Sequence, residues 1–355
     1  MKIIYLLIIL FAFLFVSCDS KFYSIEDFAS VEKIDAHYHI YTNKSVSMEQ
    51  AQKDNFKLFT INTFSGGCER VAEAHHQLTS LNNTFDADFD YSTTFCLNGW
   101  DDPAWAENTI SWIDQCIADG AKAVKVWKNI GMEIRDKDSI LIMIDDPQFD
   151  PVFAHLAEIG IPLVGHLGEP KACWQPIEEM KANNNKNYFT NNPHYHMYLH
   201  PEYPTYQEQM DARDRMLEKN PGLVFIGCHL ASLEWSVDEQ AKYLDRFPNS
   251  SIDMAARMGD LFYQTRDEHE KVRDFFIKYQ DRLLYGTDIG ERGGEDKESF
   301  HKRMNETWLR DWEYLVTDNK MTSHLIDGEF NGLKLPKEVV DKVFATNTKK
   351  WYKSF

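Results

Sequence analysis

Four apolar runs in the sequence carry histidine or aspartate at their carboxyl ends, and both residue types bind divalent metal ions. The first run holds His37 and His39, which are two residues apart and so lie on the same face of a β-strand. Later runs end in His166, His229 and Asp288. Imidazole nitrogens with a carboxylate oxygen form a ligand set that Zn²⁺ takes in catalytic sites, where one position stays open for water. These residue types therefore predict a catalytic metal site, provided that the chain brings them together.

The residues can meet only if the strands that carry them are parallel and share one sheet. Apolar, β-branched runs alternate with amphipathic helical stretches along the chain, which is typical of βαβ units. Eight strands are predicted, near 33–38, 57–62, 90–96, 121–127, 161–166, 222–229, 250–254 and 282–287. Strict alternation favours a closed (β/α)₈ barrel over an open doubly wound sheet, and the carboxyl ends of barrel strands open onto one face. The candidate ligands are therefore expected at one mouth.

Two predicted connections are too long to be simple links between a strand and a helix. They are residues 128–148 after the fourth strand and residues 167–205 after the fifth. Both leave the barrel at the face where active sites are built, so both are candidate lids. The second contains His194, His196 and His200 among Asn, Tyr and Pro residues. That setting favours hydrogen bonding or substrate contact over a second metal site.

The amino-terminal residues predict export and a lipid anchor. An apolar run over residues 3–16 is too short to span a bilayer and ends in small residues, as a secretory signal does. Cys18 would be the lipidated first residue of the mature protein, with ordinary signal cleavage as the alternative. The expected organisation is a signal peptide at 1–17, a short tether at 18–31 and one domain at 32–355. The protein is then expected in a bacterial cell envelope, facing the periplasm or the outer surface, with the anchor as its membrane contact.

Charge and cysteine content exclude some partners and frameworks. With 38 basic and 56 acidic residues, the chain has a net charge of −18, which repels phosphate backbones and argues against nucleic acid. A small-molecule substrate is expected instead, and both a monomer and a homodimer remain open. After Cys18, five cysteines remain, an odd number without CxxC spacing. That pattern favours buried free thiols over a disulfide framework.

The ligand motifs resemble the amidohydrolase superfamily, and within it the amidohydrolase-related branch. That branch includes aminocarboxymuconate semialdehyde decarboxylase, resorcylate-type decarboxylases and lactonases of sugar acids and dicarboxylates. The resemblance spans about residues 33–352 and rests on Asp35-x-His37-x-His39, Gly165-His166, Cys228-His229, Gly286-Thr287-Asp288 and the tail Val343-Phe344-Ala345-Thr346-Asn347. It implies one divalent ion, Zn²⁺ or else Mn²⁺, bound by His37, His39, His166 and Asp288. It also implies that His229 acts on the substrate or on nearby water.

Physical chemistry assigns roles to Asp288 and His229, and Lys125 is a further candidate. Asp288 is the candidate base that takes a proton from water and passes it to the leaving group. His229 is placed to stabilise or protonate a developing oxyanion. Lys125, on the fourth strand, has three open interpretations: a carboxylated lysine that bridges two metals, a cation that faces the substrate, or a buried lysine with a structural role.

Further substrate-binding candidates follow the predicted strands. Trp127 and Trp174 would lie at the mouth of the barrel and stack on a sugar ring or an aromatic acid, with burial in the core as the alternative. Arg257, after the seventh strand, is a candidate clamp for a substrate carboxylate. His196 is a candidate for substrate contact from the long second connection.

Three functions fit the sequence. The first is a metal-dependent hydrolase that opens a lactone, ester or amide of a sugar-derived or aromatic acid. The second is a non-oxidative metal-dependent decarboxylase of a carboxylated ring or enoic acid, which would use the same ligands. The third is a surface lipoprotein that binds without catalysis, and it would require broken ligand positions, whereas all five key positions are filled.

Overall fold

A curled parallel sheet forms the centre of the molecule in the computed structural model, which describes residues 21–63 and 67–355. The strands are β1 (Lys33–Ile40), β2 (Phe56–Ile61), β3 (Phe89–Thr94), β4 (Ala123–Val126), β5 (Leu163–Gly165), β6 (Phe225–Gly227), β7 (Ser250–Asp253), β8 (Leu283–Leu284), β9 (Gly290–Glu291), β10 (Lys320–Thr322) and β11 (Glu329–Asn331). The first nine form one sheet in the order β8-β7-β6-β5-β4-β3-β2-β1-β9, while β10 and β11 pair antiparallel outside it. The eight predicted strands correspond to β1–β8.

The stretch from β8 to β9 closes this sheet into a barrel. β8 pairs with β7, and β9, six residues further on, pairs with β1. Between them, the amide of Ala36 donates to the carbonyl of Tyr285 at 2.9 Å, and the amide of Asp288 donates to the carbonyl of His37 at 2.8 Å. The predicted (β/α)₈ barrel is therefore confirmed, and its last segment lies directly beside its first strand.

Helices surround the barrel and fill its connections. They are α1 (Ser47–Lys53), α2 (Cys68–Phe85), α3 (Trp105–Ala118), α4 (Asn129–Met132), α5 (Asp150–Ile159), α6 (Asn183–Asn191), α7 (Tyr206–Lys219), α8 (Cys228–Ala231), α9 (Val237–Arg246), α10 (Met258–Lys278), α11 (Lys297–Val316), α12 (Lys337–Asp341) and α13 (Asn347–Tyr352). In residues 21–63 and 67–355, no helix combines the length and the apolar character that crossing a membrane requires.

The carboxyl-terminal helix seals the base of the barrel, where the strands begin. The ring of Tyr352 stacks on Phe59 at 3.9 Å between centroids, inside a small core of barrel residues. The same terminus contacts the starts of several strands, because the Phe355 amide donates to Asp90 and the Trp351 indole donates to the Asp281 carbonyl. The base is thus closed to solvent, and any open cavity must lie at the other end.

Residues 21–31, expected to be a tether, pack against the barrel. Phe28 is buried, the Tyr23 hydroxyl donates to Asp341 at 2.8 Å, and the Trp312 indole donates to the Ser24 carbonyl at 3.1 Å. Cys18 and the predicted signal peptide lie outside the described residues.

Two expectations from the sequence are wrong. Cys68 and Cys96 form a disulfide, which joins the start of α2 to the loop after β3, so the expected free thiols are found only at Cys116, Cys173 and Cys228. The amphipathic pattern of the α2 sequence predicts His75 and His76 at the surface, but His75 is buried and contacts Asp119 at 3.1 Å. Spacing alone did not reveal the disulfide, because two residues 28 positions apart are brought together by the neighbouring strands β2 and β3.

Candidate active site

The predicted metal ligands meet at the carboxyl ends of the strands. His37 and His39 lie on β1, His166 and His229 directly follow β5 and β6, and Asp288 lies between β8 and β9. All five line one cavity of about 750 Å³. The Asp288 Oδ1 atom is 2.9 Å from His39 Nε2 and 3.4 Å from His37 Nε2. The ring of His229 completes the group, 4.9 Å from the His37 ring and 4.3 Å from the His166 ring.

Hydrogen bonds fix which nitrogen of each imidazole carries the proton. His39 Nδ1 lies 2.7 Å from the Ile61 carbonyl, and His229 Nδ1 lies 2.8 Å from the Ala255 carbonyl. A carbonyl oxygen only accepts, so Nδ1 must donate in both residues. Each Nε2 then keeps its lone pair, which is the state that metal ligation requires.

Burial and charge set the protonation states of the group. Burial lowers the pKa of His37, and it lowers the pKa values of His166 and His229 well below their usual range. Burial would raise the pKa of Asp288, but the nearby imidazoles of His229 and His39 outweigh it and hold that pKa well below its usual range. Burial thus favours the neutral form of His37, His166 and His229, while the surrounding imidazoles favour the ionised form of Asp288.

These residues fit a divalent metal ion. His37, His39 and Asp288 each offer a ligand atom, and the three atoms lie within 4.8 Å of one another. The buried Nε2 atoms of His37 and His166 have no hydrogen-bond partner among the described residues. Two ligands of one ion, each about 2.1 Å from it, lie about 3.0 to 3.4 Å apart, which matches the separations between Asp288 and the two imidazoles. His166 stands outside that tight group of three but lines the same cavity.

Asp253, which the sequence analysis did not single out, positions two of the histidines. Its fully buried carboxylate accepts a hydrogen bond from His37 Nδ1 at 2.8 Å and from the His229 amide at 2.9 Å. Burial would raise the pKa of Asp253, but the neighbouring His37 lowers it to about 2. Asp253 ends β7, but that strand reads Ser250-Ser251-Ile252 and is not apolar, so the pattern that indicated the ligands did not indicate Asp253.

Unusual backbone conformations cluster at this mouth. His229, Leu230, Ala231 and Ser232 all have positive φ, between 56° and 59°, and Asp288 has φ 68°. A left-handed conformation costs about 1–2 kcal/mol for each residue with a side chain. Asp253 holds the start of the left-handed turn through the His229 amide, and the Ser232 hydroxyl holds its end by donating to the Leu167 or Gly168 carbonyl, both at 3.1 Å.

Asp35, the first residue of the ligand motif, holds the segment that carries Asp288. Its buried carboxylate accepts from the Thr287 amide at 3.0 Å, from the Thr287 hydroxyl at 2.6 Å and from the Trp308 indole at 3.1 Å. These bonds join β1 to the residue directly before Asp288. The Asp35-x-His37-x-His39 motif thus contains two predicted ligands, and its aspartate holds the segment that carries a third, Asp288.

The structure brings three of the five predicted substrate-binding residues into the cavity. Lys125, Trp127 and Arg257 line it, and Lys125 Nζ donates to Cys228 Sγ at 2.8 Å. Trp174 and His196 are not among the lining residues. The Trp174 indole packs on Tyr206 and donates to a carbonyl, while His196 is buried in the connection after β5 and bonds the Gln175 carbonyl at 2.8 Å.

The connection after β5 covers one side of the cavity, as predicted for a lid. It contributes Glu169, Tyr188 and Phe189 to the lining, the last two from α6. Glu169 forms a buried ion pair with Lys128, which follows β4. The sequence analysis did not single out these four residues, because hydrophobic periodicity places strands and helices but not the path of a long loop.

Comparisons with known proteins agree with this geometry. The family model Amidohydro_2, described as amidohydrolase, matches residues 34–353. Among solved structures, a 2,6-dihydroxybenzoate decarboxylase from Rhizobium has a TM-score of 0.51 and 12% identity, over 91% of this chain and 99% of that one. A 5-carboxyvanillate decarboxylase from Sphingomonas paucimobilis has a TM-score of 0.50 and 11% identity, over 92% of this chain and 100% of that one. A 4-oxalomesaconate hydratase from Rhodopseudomonas palustris has a TM-score of 0.51 and 11% identity, over 90% and 95% of the two chains.

At such identities these structures show a shared fold. No curated protein sequence matches the chain at the significance applied.

Proposed function

The chain belongs to the amidohydrolase family of enzymes, and from that premise we propose that it is a hydrolase that opens a lactone, ester or amide of a sugar-derived or aromatic acid. The cluster of His37, His39 and Asp288 carries this proposal. It places an ionised carboxylate against two imidazoles in an open cavity, and a substrate of ring size can enter that cavity. A base and a metal site are thus available together.

We propose one divalent ion per chain, bound by His37, His39, His166 and Asp288, with Zn²⁺ as the expected ion and Mn²⁺ as the alternative. Such an ion polarises a carbonyl group and makes water a stronger acid. Asp288 Oδ1 faces the two imidazoles, while Oδ2 has no hydrogen-bond partner among the described residues and is available to take a proton. His229, when neutral and with Nδ1 donating to a carbonyl, presents Nε2 as an acceptor, so it is placed to take a proton from water or a substrate hydroxyl and, once protonated, to stabilise an oxyanion.

The charges that line the cavity favour an acidic substrate. Among the described lining residues, the basic side chains are Arg70, Lys125, Lys128, Arg257 and Arg292, and the carboxylates are Glu169 and Asp288. This basic cavity stands in a chain of net charge −18, so its field concentrates small anions at the site. The Arg257 guanidinium donates to the Ala256 carbonyl through Nη1 at 3.3 Å, while its buried Nε has no hydrogen-bond partner among the described residues and is available for a carboxylate.

Decarboxylation is the second candidate, because the same cations can hold a substrate carboxylate beside the proposed metal. Two of the structural neighbours are named as decarboxylases. None of the described lining residues is Leu, Ile, Val or Met, which suits a hydroxylated molecule. The lining also contains Tyr41, Trp127, Tyr188 and Phe189, on which a ring of either substrate class could stack.

One screen separates the two reactions. Metal-loaded protein is given a panel of sugar-acid lactones and a panel of hydroxylated benzoates, and acid release is measured beside CO₂ release. Acid release from a lactone without CO₂ is the expected result. CO₂ release from a benzoate would replace hydrolysis with decarboxylation, and activity that is unchanged after chelation would remove the metal from both proposals.

We propose that the protein is attached to the bacterial envelope through a lipid on Cys18. The disulfide Cys68–Cys96 supports an exported protein, because disulfides persist in oxidising compartments and are rare in the cytosol. Labelled palmitate should mark the wild-type protein in a bacterial host and should not mark Cys18→Ser. Equal labelling of both proteins, or of neither, would contradict the anchor.

A further inference from the structure

Glu169 is a buried carboxylate that the proposed hydrolytic chemistry does not use. It follows β5 by four residues, is 3% exposed and lines the cavity beside His166. Its Oε1 atom is paired with Lys128 Nζ. Its Oε2 atom is 3.6 Å from His166 Nε2, too far for a hydrogen bond, and has no hydrogen-bond partner among the described residues.

Lys128 holds Glu169 in place and has no donor left for a substrate. Its ammonium group has three N–H bonds. One N–H donates to Glu169, and one donates to the Tyr188 hydroxyl, which lies 3.1 Å from Nζ. The third faces the ring of Tyr195, whose centroid lies 3.9 Å from Nζ. Burial would lower the pKa of Lys128, but Glu169 and Tyr188 outweigh it and raise that pKa, so the lysine stays charged. Lys128 therefore fixes the position of the Glu169 side chain and does not itself clamp the substrate.

The free oxygen of Glu169 specifies the chemistry of its ligand. Oε2 faces the open cavity without a protein donor, so a bound O–H or N–H group can take the place of water there. A substrate anion cannot serve, because two negative charges would face each other at short range. A hydroxyl group is the donor that acid derivatives of the proposed substrate classes carry. Oε2 lies 3.6 Å from a proposed metal ligand, so this hydroxyl must be close to the reacting carbonyl.

We propose that Glu169 Oε2 accepts a hydrogen bond from a substrate hydroxyl on the carbon next to the reacting carbonyl, and that it selects α-hydroxy acid derivatives. This inference rests on the proposed function and narrows its substrate class. Arg257, which follows β7 in the same cavity, supplies donors for the acyl or carboxylate oxygens. Glu169 is thus a specificity-determining residue, and a site built to bond a hydroxyl discriminates strongly against analogues that lack it.

The test compares pairs of molecules that differ only in that hydroxyl. For binding, metal-loaded protein is titrated in a calorimeter with D-ribonate and its deoxy analogue lacking the hydroxyl beside the carboxylate, and with mandelate and phenylacetate. For turnover, the corresponding ribono-γ-lactone and deoxyribono-γ-lactone are used. The wild type should prefer the hydroxylated member of at least one pair by about tenfold or more in Kd, and by about a hundredfold in kcat/KM where it turns the lactone over.

Glu169→Gln separates recognition from structural support. If Glu169 accepts the hydroxyl, this variant should lose most of its affinity for the hydroxylated member and little for the deoxy member, so that the preference falls to threefold or less. Equal loss on both members would show that the Lys128–Glu169 pair only supports the loop, and would overturn the proposal. Glu179→Gln, an exposed change in the same connection, is the matched control and should keep the full preference.

Binding of a further analogue to the wild type tests the proposal if Glu169→Gln does not fold or if the lactones are not hydrolysed. A fluoro analogue, in which fluorine replaces the hydroxyl, accepts but does not donate, and the wild type should bind it as poorly as the deoxy compound. Fluoro and hydroxyl compounds that bind equally, or wild type without preference in either pair, would overturn the proposal. A clear binding preference without lactone opening would instead contradict the hydrolase and leave the role of Glu169 standing.

Discussion

The mouth and the base of the barrel bury different kinds of polar group. β1 shows both, since Lys33 begins the strand at the base and His37 and His39 lie towards its end. At the base, the Lys33 ammonium donates to the carbonyls of Phe28 and Val31 and lies over aromatic rings, the nearest being that of Phe28 at 4.6 Å. At the mouth, the buried Nε2 of His37 has no hydrogen-bond partner among the described residues.

This difference separates polar groups that stabilise the fold from polar groups that could bind a ligand. Each unpartnered buried polar group costs about 1–3 kcal/mol, and each left-handed residue with a side chain costs about 1–2 kcal/mol. Both ends carry such costs, since the hydroxyl groups of Thr348, Tyr352 and Ser354 at the base have no partner among the described residues, and Lys353 and Phe355 there have positive φ. The mouth differs in the kind of atom left unpartnered, because the Nε2 atoms of His37 and His166 are metal-binding nitrogens beside an open cavity. A bound ion can satisfy these nitrogens, so the mouth is the end that fits a ligand.

The largest effect on catalysis is expected from replacing Asp288, at the mouth of the barrel. Asp288→Asn keeps the shape of the side chain but removes the base and one ligand charge. We expect kcat to fall about a thousandfold or more, because a positioned acid or base contributes about 10²–10⁴-fold. The thermal midpoint of the metal-free variant should stay close to that of the metal-free wild type, measured by circular dichroism.

Asp90→Asn is the matched control, since Asp90 is a buried carboxylate at the base that accepts from the Phe355 amide. It should lower stability and leave kcat unchanged. Near-normal turnover in Asp288→Asn, or a loss of kcat in Asp90→Asn, would contradict the assignment of catalysis to the mouth and of structural support to the base.

Asp253 tests whether the support beneath the mouth acts on the metal. Asp253→Asn removes the charged acceptor of His37 Nδ1 and permits the other tautomer, in which Nε2 carries the proton. We expect metal affinity to fall about 10–100-fold, as for other groups that orient a metal-bound histidine. Competition with a chromophoric chelator measures the affinity. Unchanged affinity would mean that Asp253 serves the left-handed turn at His229 and not the ligand.

The parts of the site that lie on strands could be predicted from the sequence. His37, His39, His166, His229 and Asp288 each end or follow an apolar run, and parallel strands bring such ends together regardless of loop detail. Asp253 ends a strand that is not apolar, and its role depends on a contact with β1 that only the closed barrel creates.

The parts that lie on connections could not be predicted. Glu169 and Tyr188 reach the cavity because the chain after β5 folds back over the mouth, and no periodicity encodes that path. Trp174 and His196 belong to the same connection and point elsewhere, although their residue types fitted a binding site equally well. The disulfide is a similar case, because the spacing of cysteines does not determine their pairing.

Lys33, at the base, makes the stability of the fold depend on pH. Burial lowers the pKa of Lys33 to about 7, so between about pH 7 and pH 10 the unfolded chain binds more protons at this residue than the folded protein does. Stability contributed through Lys33 therefore rises with pH across this window, by at most about 1.4 kcal/mol per pH unit. Lys33→Met should remove that rise, measured as the difference in free energy of unfolding between the two proteins in urea at several pH values.

The same pair of proteins distinguishes two descriptions of the base. Carbonyl oxygens and aromatic faces attract an ammonium ion, so strong attraction would keep Lys33 charged throughout the window and would make the two stability curves parallel. A widening gap would show that burial outweighs those contacts. In either case kcat and metal affinity should be the same in both proteins, because Lys33 lies at the opposite end of β1 from the ligands. A change in either quantity would show that the two ends of the barrel are coupled through that strand.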